Sequence, residues 1–285
     1  MLQNPSVVRW LDGIEPAWTL LDHDSFGALR LHSRPPGGAI RLAADFSPED
    51  VARSPVARNA LILLHSASTG PGLKMTATGN LTRNVVAEMC DLFSWPHFDK
   101  RTAFRFHKVI NEPDFLPLHF VRSVTQAAGL VRRHKGYLRA SRAGRAVLED
   151  PDRRALQALL FQSALWDIDL QYLGMGLHLG WPQRDVGLVL WSLSVAANDW
   201  QSCHRLTRLC TLPINGVLES QWDSGSFAME ARILQPLLWF GLVEHRQRGS
   251  RQDESQHSNQ YRKTALFDRF LSFDVNLEHG ASRHH

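Results

Sequence analysis

Nine side chains between residues 119 and 139 have the types and spacing to hold a phosphodiester backbone and touch base edges. They are His119, Arg122, Ser123, Gln126, Arg132, Arg133, Lys135, Tyr137 and Arg139. The first four recur at the spacing of one helical face. The other five, with His134 beside them, lie in a short basic stretch whose arginines and lysine can neutralise phosphates. From Phe115 to Leu148 there are seven cations and no Asp or Glu. Over Phe98–Leu148 the net charge is +8, so the rest of the chain carries −4 within a formal total of +4. A single-sign segment of this kind is the footprint expected for a polyanionic partner, although a solvated face reads the same way.

The local pattern supplies elements to position these groups. Asn111-Glu112-Pro113-Asp114 opens a helix with the apolar stripe Phe115, Leu118, Val121, Val124 and Ala128. His119, Arg122, Ser123 and Gln126 fall on its opposite, solvent face. Gly129 stops the helix in the left-handed region. Leu130–Arg133 and Tyr137–Ala140 read as strands joined by a tight turn at His134-Lys135-Gly136. Ser141 then caps a short helix through Leu148. Helix, glycine stop, hairpin and capped helix is the order of a winged helix, which places one helix in the major groove and the wing on the backbone. Strand alternation sends Arg132 and Arg133 to opposite faces.

The C-terminal part repeats the order. Phe227–Phe240 is an apolar helix stopped by Gly241, followed by Leu242–Arg246, a long polar loop, Gln260–Lys263, and Thr264 capping Ala265–Phe273. GLVRR aligns with GLVEH, and RASRAGRAVL with RKTALFDRFL. Two copies of one unit account for this better than coincidence. The second wing, with Arg246, Arg248 and Arg251 followed by Asp253 and Glu254, reads as a solvated or disordered loop. Before the first copy, Trp18–Leu21, Ala28–Leu31 and Ala39–Leu42 read as short strands or cover. Ser47-Pro48-Glu49-Asp50 and Val56–Ala67 start two helices. Leu73–Thr76 is extended, and Leu81, Val85, Met89 and Leu92 mark the face of another helix. Between the copies the chain is helical, with Trp166, Trp181, Trp191 and Trp200 as packing residues.

The fold class expected is mainly α with small β-hairpins, as two winged-helix-like modules joined by a helical region. The segments are 1–72 (short strands and two helices), 73–150 (first module), 151–216 (helical connection), 217–275 (second module) and 276–285 (disordered tail). The stretches LKMTATGNLTRNVVAEMCDLF and INEPDFLPLHFVRSVTQAAGLVRRHKGYLRASRAGRAVL give residues 73–148 a family resemblance. They resemble the winged-helix-like module flanking the core of bacterial plasmid ORF-3-like proteins. That resemblance implies a fold and a bacterial origin, and carries no catalytic residue with it.

Other chemistries lack their residues. Cys203-His204 and Cys210 share a helix without CxxC or HExxH spacing, so the three cysteines of the chain read as buried packing groups and no metal or cofactor is expected. Gly174-Met175-Gly176 lacks the third glycine of a dinucleotide loop. There is no GxxxxGK[ST] and no GxSxG. Asp167 and Asp169, two apart, do not face each other, and Asp22-His23-Asp24 reads as a surface turn. With 44% hydrophobic residues, few cysteines, no signal-peptide start and no long apolar run, the chain reads as a globular cytoplasmic protein with no membrane span and no identified small-molecule substrate. The leading expectation is nucleic-acid binding, DNA first, in a regulatory or mobile-element setting. The rival is a non-catalytic interaction or self-assembling protein, such as a homodimer. An enzyme has no motif to carry it.

Overall fold

The computed structural model describes residues 2–44, 47–96, 109–151, 155–220, 222–247 and 259–278. The chain is mainly helical, and its described strands form three small antiparallel sheets. Two compact units account for it: a middle unit of Ala44–Ile168, and a split unit built from Met1–Ala43 together with Asp169–His285.

In the middle unit, Ser47 and Asp50 form a reciprocal capping box on the helix Pro48–Arg53. Ser54 caps Pro55–Ser68, accepting from the Ala57 N–H at 3.2 Å. That helix buries Val56, Ala60, Leu63 and Leu64 completely. After the strand Leu73–Lys74 comes the helix Arg83–Leu92, whose buried face is Val85, Val86, Met89 and Cys90. Leu92, expected on that face, is the last helical residue and is exposed. The helix Leu116–Ala127 buries Phe120, Val121 and Val124 and ends in a Schellman motif. There Gly129 (φ 69°) donates to Gln126 O, and the Leu130 N–H to Thr125 O. Strands Val131–His134 and Tyr137–Ala140 follow, joined by a turn with positive φ at both Lys135 and Gly136. Leu73–Lys74 pairs with the second hairpin strand, giving a three-stranded sheet. Ser141 then caps Arg142–Glu149 through the Gly144 N–H, as expected.

The split unit contains the same sequence of elements. The helix Val186–Ala196 is followed by the strand Gln201–Ser202 and the helix Cys203–Cys210. A long helical run then continues through Ser224–Met229, the π turn Glu230–Leu234 and Gln235–Trp239. Strands Val243–Gln247 and Asn259–Lys263 close it, with Gln201–Ser202 again pairing the second of them. The backbone bonds correspond one to one. Gly241 donates to Leu238 O, Leu242 to Leu237 O and Thr264 to Leu242 O, as Gly129, Leu130 and Ser141 donate to Gln126, Thr125 and Leu130.

Several local expectations are corrected. Asp22 accepts from the Ser25 N–H at 2.8 Å and caps the helix His23–Leu31, so Asp22-His23-Asp24 is a helix start and Ala28–Leu31 is helical. Trp18 lies in the 3₁₀ turn Ala17–Leu20, and only Ile40–Leu42 of the three early runs is a strand. A short apolar run carries too few residues for its period to separate strand from helix. Thr264 does not cap with its side chain; its hydroxyl donates to Gly241 O and Leu242 O. The helix after it stops at Phe270, because Leu271–Phe273 pairs with Ile40–Leu42 across almost the whole chain. Residues 276–278, assigned above to a disordered tail, are tied down. The Asn276 N–H donates to Ser25 Oγ at 2.8 Å and the Glu278 N–H to Leu20 O at 2.9 Å.

Gly187 sits where the helix Val186–Ala196 crosses His23–Leu31. A Cβ there would come within 2.3 Å of Leu29 O and 2.2 Å of Ser33 Cβ. The backbone carbonyl cannot yield without moving its helix. Gly187→Ala is therefore expected to lower stability by about 1–3 kcal/mol in urea unfolding, despite alanine's better helix propensity.

Candidate nucleic-acid interface

The exposed side of Leu116–Ala127 and the first hairpin strand share one hollow of about 340 Å³ in the middle unit. His119, Ser123, Gln126 and Arg133 line it, together with Asn80, Ala127, Ile168 and the inward-turned pair Glu112 and Arg122. Gln126 and Arg133 are exposed, and His119 and Ser123 are half-buried. Side chains with amide, hydroxyl, imidazole and guanidinium groups therefore meet at one surface, a set able to bond both base edges and phosphate oxygens.

Arg122 lines the same hollow but is almost withdrawn from solvent. Only 5% exposed, it turns inward from the helix, and its Nη1 lies 2.5 Å from both carboxylate oxygens of Glu112. Its Nη2 donates to Gly79 O at 2.8 Å. Glu112, 1% exposed, also accepts from the Leu81 N–H at 2.6 Å, and His119 Nδ1 lies 3.5 Å away. Burial works to raise the Glu112 carboxyl, but the bonds from His119, Arg122 and the Leu81 N–H hold it below its ordinary value. This carboxylate fastens the Gly79-Asn80-Leu81 turn to the helix that follows it. Helical periodicity places Arg122 on the solvent face, and its burial corrects that expectation. It could not see that a carboxylate three residues outside the apolar stripe would draw the guanidinium into the core. Gly79, Asn80, Leu81 and Glu112 were the residues missed; the sign of them in the sequence is one acid pair, Glu112 and Asp114, at the edge of an acid-free segment.

The hairpin register divides the basic residues. Arg132 is opposite Arg139, and His134 opposite Tyr137, so these four share one face. Arg133 is opposite the fully buried Leu138 and faces the hollow, with Nη1 2.6 Å from where a Gly79 Cβ would stand. Lys135 sits at the tip of the turn. The alternation expected from the sequence therefore has a consequence: only Arg133 joins the helix residues, while Arg132, Arg139 and Tyr137 form a second surface. Lys100, Arg101, Arg105 and Lys108 lie outside the described residues.

In the split unit, the Arg246 and Arg262 guanidiniums lie 4.4 Å and 4.9 Å from the centroid of the Trp200 ring. Arg262 also pairs with Glu244 at 2.8 Å, which offsets its charge. Arg248, Arg251, Asp253 and Glu254 of the second wing lie outside the described residues. Cys90, Cys203 and Cys210 are all buried, and none is in a disulfide. Trp181 and Trp191 are buried core residues, whereas Trp166 and Trp200 are half-buried. Among the described residues, no helix is long and apolar enough to cross a membrane.

Comparison with known proteins places the likeness in the middle unit. The family model of the Y4jL N-terminal domain matches residues 52–153. Uncharacterized protein y4jL of Sinorhizobium fredii is 33% identical over 112 residues, which is 39% of this chain and 50% of that protein. The chain thus spans about half the length of the curated relative it matches. No solved structure matches the chain.

Proposed function

We propose that this protein is a non-catalytic cytoplasmic nucleic-acid-binding protein, acting on DNA in a regulatory or mobile-element setting, and that the middle unit makes the contact. Both units are read as winged helices. The reading is supported by the order of helix, strand, further helices and hairpin that both share among the described residues, with the first strand added to the second hairpin strand. The resemblance of residues 73–148 to the module of plasmid ORF-3-like proteins agrees with it. The observation that carries the proposal is the convergence of His119, Ser123, Gln126 and Arg133 on one hollow beside an acid-free hairpin.

The test is an electrophoretic mobility shift on duplex DNA across a salt series, comparing wild type with Arg132→Ala/Arg133→Ala/Lys135→Ala. Binding should weaken steeply with salt, and each phosphate contact removed should lower the logarithmic slope by about 0.9. Salt-insensitive binding, or a triple variant indistinguishable from wild type, overturns the proposal. Gln126→Ala should relax sequence preference while leaving the slope unchanged.

A second reading, self-association as a homodimer, rests on the split unit. Leu31, Met175 and Leu179 are each more than 70% exposed there, open apolar surface of the kind a second copy can cover. Light scattering without nucleic acid separates the two readings, since only this one requires a stable assembly.

A further inference from the structure

The split unit holds another hollow, of about 370 Å³, which the nucleic-acid reading does not use. It opens where the helix Pro5–Leu11 meets Cys203–Cys210 and the residues that cap Ser224–Met229.

Arg208 lines it. This residue is 8% exposed, donates from Nε to Trp10 O at 2.6 Å and from Nη1 to His204 O at 3.2 Å. Its Nη2 has no hydrogen-bond partner among the described residues, yet it is not sealed into the core. Asp223, which also lines the hollow, stays 3.9 Å from Nη1 and is already engaged, and Asp12 adds negative charge near the guanidinium. Asp223 accepts from Ser226 Oγ at 2.6 Å, and His204 Nδ1 lies at 2.7 Å. That same Nδ1 lies 3.0 Å from Arg208 Nη1. One ring nitrogen cannot donate to a carboxylate and accept from a guanidinium together. The ionised Asp223 is the stronger acceptor, so the proton belongs on Nδ1, and Arg208 loses that acceptor. A desolvated guanidinium with donors uncommitted is a demand for an anion.

The surroundings narrow the ligand further. Arg9 is exposed at the rim and adds a second cation. Trp10 has the Arg208 guanidinium 5.1 Å from its ring centroid, and Trp222 is 52% exposed. One exposed indole, Trp222, with the half-buried Trp10 and two cations beside it, favours a flat, electron-rich body carrying negative charge. We infer that this hollow binds a small aromatic carboxylate, its head group against Arg208 and Arg9 and its ring along Trp10 and Trp222. The volume lies at the lower end of the range of about 300–1,000 Å³ for small-molecule sites, so the ligand has one or two rings. Once bound, it bridges the N-terminal helix and the capped start of Ser224–Met229. The inference stands without the nucleic-acid reading, because every lining residue used belongs to the split unit.

The test uses the full chain without nucleic acid, with benzoate, benzamide and acetate as probes in calorimetric titrations. Benzoate should saturate, and both benzamide, which lacks the charge, and acetate, which lacks the ring, should bind at least about tenfold more weakly. Trp222→Ala, at an exposed position, should weaken benzoate about fivefold with an unchanged unfolding midpoint. Arg208→Lys should weaken it about tenfold, because lysine cannot reproduce the planar fork. Equal binding of benzoate and benzamide, or wild-type affinity in Trp222→Ala, overturns the inference. Should Arg208→Lys fail to fold, Arg9→Ala takes its place, and unchanged affinity there overturns it equally. Loss of DNA binding elsewhere in the protein leaves all these outcomes untouched.

Discussion

Glu112→Gln should cost the middle unit about 3–5 kcal/mol in urea unfolding, because it leaves the Arg122 guanidinium buried without a counter-charge. The Leu81 N–H would keep an oxygen acceptor, so the loss reports the charge rather than the hydrogen-bond count. Arg122→Met alone should also destabilise strongly, since it strands the carboxylate. The double variant should cost less than the sum of the two, and a double-mutant cycle measures the difference. The pH dependence has a definite sign. The folded pKa of Glu112 lies below its ordinary value of 4.5, so its contribution is complete above that value and drains away as pH falls through the lower, folded one. In Glu112→Gln this part of the acid sensitivity should disappear. Additive costs, or an unchanged acid limb, would show that the pair does not act as a unit.

Arg232→Ala should be of similar size in the split unit, about 3 kcal/mol or more. Arg232 is completely buried and donates to the carbonyls of Leu177, His178 and Trp181, which belong to a segment with positive φ at Met175 and His178. Removing it leaves the Leu177 and Trp181 carbonyls without a donor, each costing roughly 1–3 kcal/mol if water does not enter, while His178 O keeps the Trp181 N–H. The Arg232 Nε has no hydrogen-bond partner among the described residues and lies 2.9 Å from where a Gly174 Cβ would stand, so the guanidinium has been accommodated at the expense of one donor. Arg232→Lys should rescue little, since a single ammonium cannot span the same carbonyls. Hydrogen exchange at residues 174–182 should rise in both variants. If those amides keep wild-type protection, the clamp is not what orders the segment.

Much of the middle unit was legible because its signals are local. A serine before Pro48, glycines with positive φ at 129 and 136, and Ser141 each set the geometry of one or two residues. Such positions depend on steric limits and short hydrogen bonds that operate within a turn. Gly129 and Gly241 were readable as helix stops for the same reason, since both take a positive φ and donate to a carbonyl three residues back. The N-terminal segment was misread where three or four apolar residues had to be assigned without neighbours. The strand Ile40–Leu42 could not be matched to Leu271–Phe273, since no short-range pattern links residues so far apart.

The candidate site divides along the same line. Its residue types, the helix that presents His119, Ser123 and Gln126, and the turn that folds the hairpin back were all contained in the sequence. Which cations act together was not. Register sends Arg133 to the hollow and Arg132 and Arg139 to the other face, and the Glu112 carboxylate withdraws Arg122 from solvent. The hollow around Arg208 is more remote still, because it joins a helix at residue 5 to side chains beyond residue 200. Period, caps and glycines determine what each segment becomes, because torsional preferences are decided over a few bonds. Desolvation and charge pairing decide which side chains remain available, and these arise only when segments distant in the chain are brought into contact.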